Sequence, residues 1–181
     1  MKLFLSVLCA TLCLAAQSAP PPSVSMIFDG QVKTIERNLV PLAEAMPADK
    51  YNFAPKDGEF KNVRTFGQQV AHVAAVIYLV SAAVLGEKPP VDTGGESGPK
   101  SLDGKDAIVK FLKDSFAYAH KAMDSLTAEN MMEMVPSPFG NNKVTRVSMA
   151  TVPVWHSFDH YGQMAVYARM NGIIPPASRQ Q

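Results

Sequence analysis

The sequence predicts an all-α protein, a four-helix bundle. Four long stretches carry apolar side chains at helical spacing, each about 20 residues. No stretch alternates apolar and polar residues at the strand period. The chain of 181 residues is 47% hydrophobic and 18% charged, the balance of one folded domain with its own core. The elements are taken in order below.

Residues 1–18 read as a signal peptide. Met1-Lys2 is a short positive start and Leu3 to Ala16 an apolar run too short to span a bilayer. Ala16-Gln17-Ser18 offers small residues at the two positions a signal peptidase reads, which places cleavage after Ser18. The alternative is an uncleaved N-terminal anchor. Cys9 and Cys13 leave with the signal, so the mature chain has no disulfide and no thiolate ligand. Leu8 and Leu12 precede them where a lipoprotein signal needs a small residue. Residues 19–23 form an extended linker, and residues 24–178 form the helical domain.

The first helix spans about Val24 to Met46, with Met26, Ile27, Ile35, Leu39, Leu42 and Ala43 as its apolar stripe. Pro41 should kink or shorten it. The loop Pro47 to Val63 contains Tyr51, Phe53 and Pro55 and should pack rather than wave. The second helix opens at Thr65, where Thr65-Phe66-Gly67-Gln68 matches a capping box, and ends at Gly86. Its nearly unbroken apolar run makes it the central helix. Glu87 to Lys100, rich in Pro and Gly, is a surface loop. The third helix, about Gly104 to Leu126, places Ile108, Phe111, Leu112, Phe116, Ala119 and Met123 on one face. Met131, Met132 and Met134 fall in an irregular segment, read as a lip over a site. The fourth helix covers about Thr145 to Asn171, with Pro153 predicting a kink and Gly172 a stop.

The fourth helix carries Trp155-His156-Ser157-Phe158-Asp159-His160-Tyr161-Gly162-Gln163. Histidines four apart stand on one helical face, and two imidazoles so placed can grip one metal ion. His72 lies in the apolar second helix, where it is either a satisfied core histidine or a group facing an interhelical cavity. With His156 and His160 it makes a three-nitrogen site with open positions. The pair alone would equally suit stacked or solvated histidines. His120, on the third helix, is the competing ligand and reads as a core-edge residue outside the site. Gln163, Tyr167 and Gln68 are candidate neighbours, each also explained by ordinary hydrogen bonding. Asp159 should point outward.

The net charge is +1, and it falls to zero once Lys2 is removed. No basic stripe supports a nucleic-acid partner, and none supports a membrane-surface helix after signal cleavage. HExxH, Glu-x-x-His, a phosphate loop and a serine elbow are all missing.

Three motifs, in this order, make the chain resemble the DinB/YfiT-like superfamily. They are Met46-Pro47-Ala48-Asp49-Lys50-Tyr51-Asn52-Phe53-Ala54-Pro55; Arg64-Thr65-Phe66-Gly67-Gln68-Gln69-Val70-Ala71-His72-Val73; and the run from His156 to Gln163, followed by Tyr167 to Gly172 and Pro175-Pro176. Tyr161 stands where relatives often have arginine. The resemblance covers about Val24 to Ser178 and implies an up-down-down-up bundle. It also implies a divalent metal, commonly nickel or zinc, on His72, His156 and His160. Some relatives look like thiol-cofactor transferases, a role at odds with export from the reducing cytoplasm. The expected function is an exported, periplasmic or secreted, metal-dependent hydrolase or transferase acting on a small molecule of unknown identity. The alternative is a non-catalytic metal- or ligand-binding bundle of the cell envelope. A homodimer is compatible with either.

Overall fold

A computed structural model of the chain describes residues 21–179, so the leader expected at 1–18 lies outside the described residues. Four helices dominate: α1 (Val24–Ala45), α2 (Phe66–Leu85), α3 (Gly104–Asp124) and α4 (Arg146–Met170). Single 3-10 turns follow α1 and α4, at Ala48–Lys50 and Pro176–Ser178.

Side-chain contacts give the direction of each helix. Asp29 and Glu36, early in α1, meet His120 late in α3, while Glu44 meets Lys113. These two helices are therefore antiparallel. Gly67 lies against Ile108 and Tyr78 against Phe111 and Tyr118, so α2 and α3 run parallel. His72 meets His156 while Val84 meets Arg146, so α2 and α4 are antiparallel. The result is an up-down-down-up four-helix bundle. Each of α1 and α2 packs on both α3 and α4. Antiparallel neighbours need only short turns, but this order needs long crossovers. Residues 46–65 and 86–103 supply them.

Helix α2 is long and apolar enough to cross a membrane, yet it is largely buried inside the bundle. Phe66, Val70, Val73, Ile77, Val80 and Val84 are buried among the inner faces of its neighbours. Each such side chain contributes roughly 1.5–3 kcal/mol. Its ends form as expected. Thr65 Oγ1 accepts from Gln68 N–H, Gln68 Oε1 accepts from Thr65 N–H, and Gly86 caps the C-terminus at φ 72°.

Three expectations need correction. The stripe of α1 does not include Met26 and Ile27, which are 65% and 47% exposed. Counting back from Val32 and Ile35, the helical period lands on Phe28, which packs on the core, and leaves Met26 half a turn out of phase. Of the two effects expected of Pro41, shortening does not occur: α1 continues to Ala45. The segment after Met131 is not wholly irregular: β1 (Met134–Pro136) pairs antiparallel with β2 (Lys143–Thr145), Val135 opposite Val144. Three-residue strands are too short to show a period. Glu133 and Val84 tie Arg146, at the start of α4, to the hairpin and to the end of α2. The methionines thus stand beside the end of α2 rather than over the histidines.

Candidate metal centre

The antiparallel contact of α2 and α4 brings His72, His156 and His160 together. Their ring centroids are 4.6–5.0 Å apart and the rings stand edge to face. The three potential donor nitrogens lie within 4.8 Å of one another. His160 sits one turn after His156, so one face of α4 presents both to His72.

The surrounding protein orients two of the rings. His72 Nδ1 donates to the Glu96 carbonyl at 2.5 Å, and His160 Nδ1 donates to Gln69 Oε1 at 2.9 Å. An oxygen of either kind only accepts, so both rings carry the proton on Nδ1 and a lone pair on Nε2. The Nε2 atoms of His72 and His156 are 3.2 Å apart. Two nitrogens bound to one tetrahedral ion at about 2.0–2.1 Å stand roughly 3.3 Å apart, so the separation fits metal ligation. His156 Nδ1 is buried without a partner among the described residues. Burial lowers the pKa of all three. His156 falls to about 3, helped by the charges of His160, His72 and Arg64. His160 falls to about 4, helped by His72 and Arg64. His72 is lowered by burial, against the opposing effect of the Glu96 carbonyl, and by Arg64. At neutral pH the triad is uncharged, the state a metal requires of imidazole.

The loop between α2 and α3 exists in this form because of its glycines. Gly94 has φ +57°, and a Cβ there would lie 2.0 Å from the Gly98 carbonyl. Gly98 itself has φ +84° and sits against Ala71, next to His72. This folding brings the Glu96 carbonyl to His72 Nδ1. A pocket of about 470 Å³ opens beside His160, lined by Asn62, Arg64, Gln69, Gln163 and Tyr167.

The sequence reading named the three histidines, and they converge. His120 stays outside the cluster, as expected, bonded to Asp29 and Glu36. Asp159 is exposed and accepts from Gln163. Gln163 and Tyr167 reach the pocket, and the Tyr167 hydroxyl donates to the Arg64 carbonyl at 3.4 Å. Gln68 does not reach the triad, because its side chain is spent on the helix cap. Its neighbour Gln69, 2% exposed, does so instead. A glutamine three residues before His72 in so apolar a helix was the available signal. The Glu96 carbonyl left no signal, since backbone contacts carry no side-chain code.

The model of the DinB superfamily matches residues 31–164, and the chain belongs to that family. No curated protein matches the chain. Solved structures share the fold. A DinB-like protein from Bacillus subtilis, YjoA, is 17% identical with a TM-score of 0.63, over 86% of this chain and 99% of that one. A DinB-like protein from Bacillus cereus is 14% identical, TM-score 0.61, over 82% and 93%. YfiT from Bacillus subtilis, described as a probable metal-dependent hydrolase with an unusual four-helix bundle topology, is 17% identical, TM-score 0.60, over 88% and 96%.

Proposed function

We propose that this protein is an exported metal-dependent hydrolase of small molecules, with His72, His156 and His160 as the ligands of a divalent ion. The observation that carries the reading is the triad: three imidazoles turned toward one another, two of them oriented through Nδ1, with the Nε2 atoms of His72 and His156 at a separation that suits one ion. The printed description of YfiT as a probable metal-dependent hydrolase supports the same class. A divalent ion on such ligands polarises a carbonyl or phosphoryl oxygen and makes water a nucleophile at neutral pH. The chain's own residues do the rest. The Glu96 carbonyl and Gln69 hold the His72 and His160 tautomers, and the pocket beside His160 has room for a small molecule. Nickel and zinc both suit three imidazoles.

Among the described residues no carboxylate lines that pocket. This favours one second reading, a metal-binding protein of the cell envelope without catalysis. Elemental analysis of the wild type beside His160→Ala tests the metal: about one equivalent, lost in the variant, supports the site. Turnover of esters, amides or phosphoesters by the loaded protein separates hydrolase from carrier. Export rests on the composition of residues 1–18. N-terminal sequencing of protein from the host envelope should begin at Ala19, and an intact Met1 would oppose cleavage.

A further inference from the structure

Arg64 is the one charged residue in the lining of the pocket beside His160, among the described residues. Imidazoles ligate a metal as neutral groups, so three of them would leave the charge of a divalent ion uncompensated. No carboxylate lines the pocket among the described residues. Asp159, the nearest acid in sequence, is exposed and bonded to the Gln163 amide. Arg64 lines the pocket, and its guanidinium has no ion-pair partner among the described residues.

The backbone under Arg64 is held while its side chain is free. The Arg64 carbonyl accepts from Tyr167, Thr65 caps α2, and Phe66 N–H donates to the Phe53 carbonyl. Two residues earlier Asn62 turns the chain through φ 65°. Gln69 adds a second donor. Its Oε1 is taken by His160, and its amide nitrogen, in a side chain almost wholly buried at the pocket wall, has no protein acceptor among the described residues. An amide donor in the wall of a cavity and, in the same lining, an arginine without an ion-pair partner among the described residues are the equipment for an oxyanion.

We propose that the pocket takes an anionic substrate: a small molecule whose terminal carboxylate or phosphate is held by Arg64 while its reacting group lies toward His160, the member of the triad that lines the pocket. This rests on the metal-dependent reading above. The volume, about 470 Å³, suits a small molecule rather than a polymer. Arg64 is a binding residue that selects charge; the histidines are needed for the chemistry whatever the substrate.

The test uses cobalt-loaded full-length protein and hydroxamates, which report binding through the cobalt absorption. Succinic, glutaric and adipic monohydroxamates are compared with the same chains ending in carboxamide, and with phosphonate-ended counterparts. At one chain length the wild type should bind an anionic tail about tenfold or more tighter than the amide tail. The better of carboxylate and phosphonate identifies the group. Arg64→Ala should cut the preference to about threefold or less with metal content unchanged, and Arg64→Lys should retain part of it. Arg64 is exposed, so circular dichroism should show both variants folded. Equal binding of charged and amide tails at every length would overturn the assignment and leave the metal site standing. So would a preference unchanged in Arg64→Ala. No cobalt uptake by the wild type would overturn both readings.

Discussion

Gln69 and the Glu96 carbonyl fix two imidazole tautomers from different parts of the chain. A ligand whose proton is placed by a neighbour loses less freedom on binding, and loss of such a neighbour commonly weakens affinity about 10–100-fold. Gln69→Leu keeps the apolar packing of α2 and removes the acceptor for His160. Its metal affinity, measured by chelator competition, should fall within that range while the melting curve of the metal-free protein barely moves. Wild-type affinity would show that Gln69 only fills space. His120 makes the contrasting case. Burial acts to lower its pKa, but hydrogen bonds to Glu36 and Asp29 outweigh this and raise it. The folded protein therefore holds this proton more tightly than the unfolded chain. The stabilisation is complete below the unfolded value of about 6.5 and fades as pH rises through the folded one. The urea stability gap between wild type and His120→Gln should be about 1 kcal/mol near pH 6 and shrink toward pH 9. A gap that stays flat with pH would mean that the ion pair contributes nothing.

Secondary elements divide into those whose cues are local and those held by distant contacts. The ends of α2 belong to the first kind, since Thr65, Gln68 and Gly86 are cap residues in their own right. The β-hairpin belongs to the second: Val135 is buried and Val144 packs against the core, so two short strands are held by contacts no window of sequence contains. The loop before α3 lies between. Its glycines mark a turn, but only the folded chain shows that the turn brings Glu96 to His72. Gly94→Val should strain the left-handed backbone and collide with the Gly98 carbonyl, at about 1–3 kcal/mol. Metal affinity should drop along with stability while the helical dichroism stays. Unaltered affinity would mean that the loop does not orient His72.

For the whole molecule, the proposed metal would be a link between helices. The three candidate histidines come from α2 and α4, so an ion held by them would join two elements far apart in sequence. A ligand at a thousand times its Kd stabilises by about 4 kcal/mol, or roughly 8–16 °C in a domain of this size. Chelation should lower the Tm of the loaded wild type by about that much and leave His160→Ala unmoved. Equal shifts in both would place the ion elsewhere. The bundle order explains why this link is possible. Two long crossovers set α2 antiparallel to α4, and only then does the mid-helix His72 face His156 and His160.

Periodicity, caps and the i, i+4 spacing of His156 and His160 are properties of neighbours along the chain. From them alone the sequence determined four helices, a central α2 and the candidate ligands. The family motifs supplied the helix order. The phase of the first turn of α1, the hairpin, the partners of His72 and His160 and the place of Arg64 in the pocket lining depend on residues distant in sequence. Packing decides which of two adjacent glutamines is buried: Gln68 lies on the outer side of α2 and caps it, while Gln69, one residue and about 100° further round, faces α4 and holds His160.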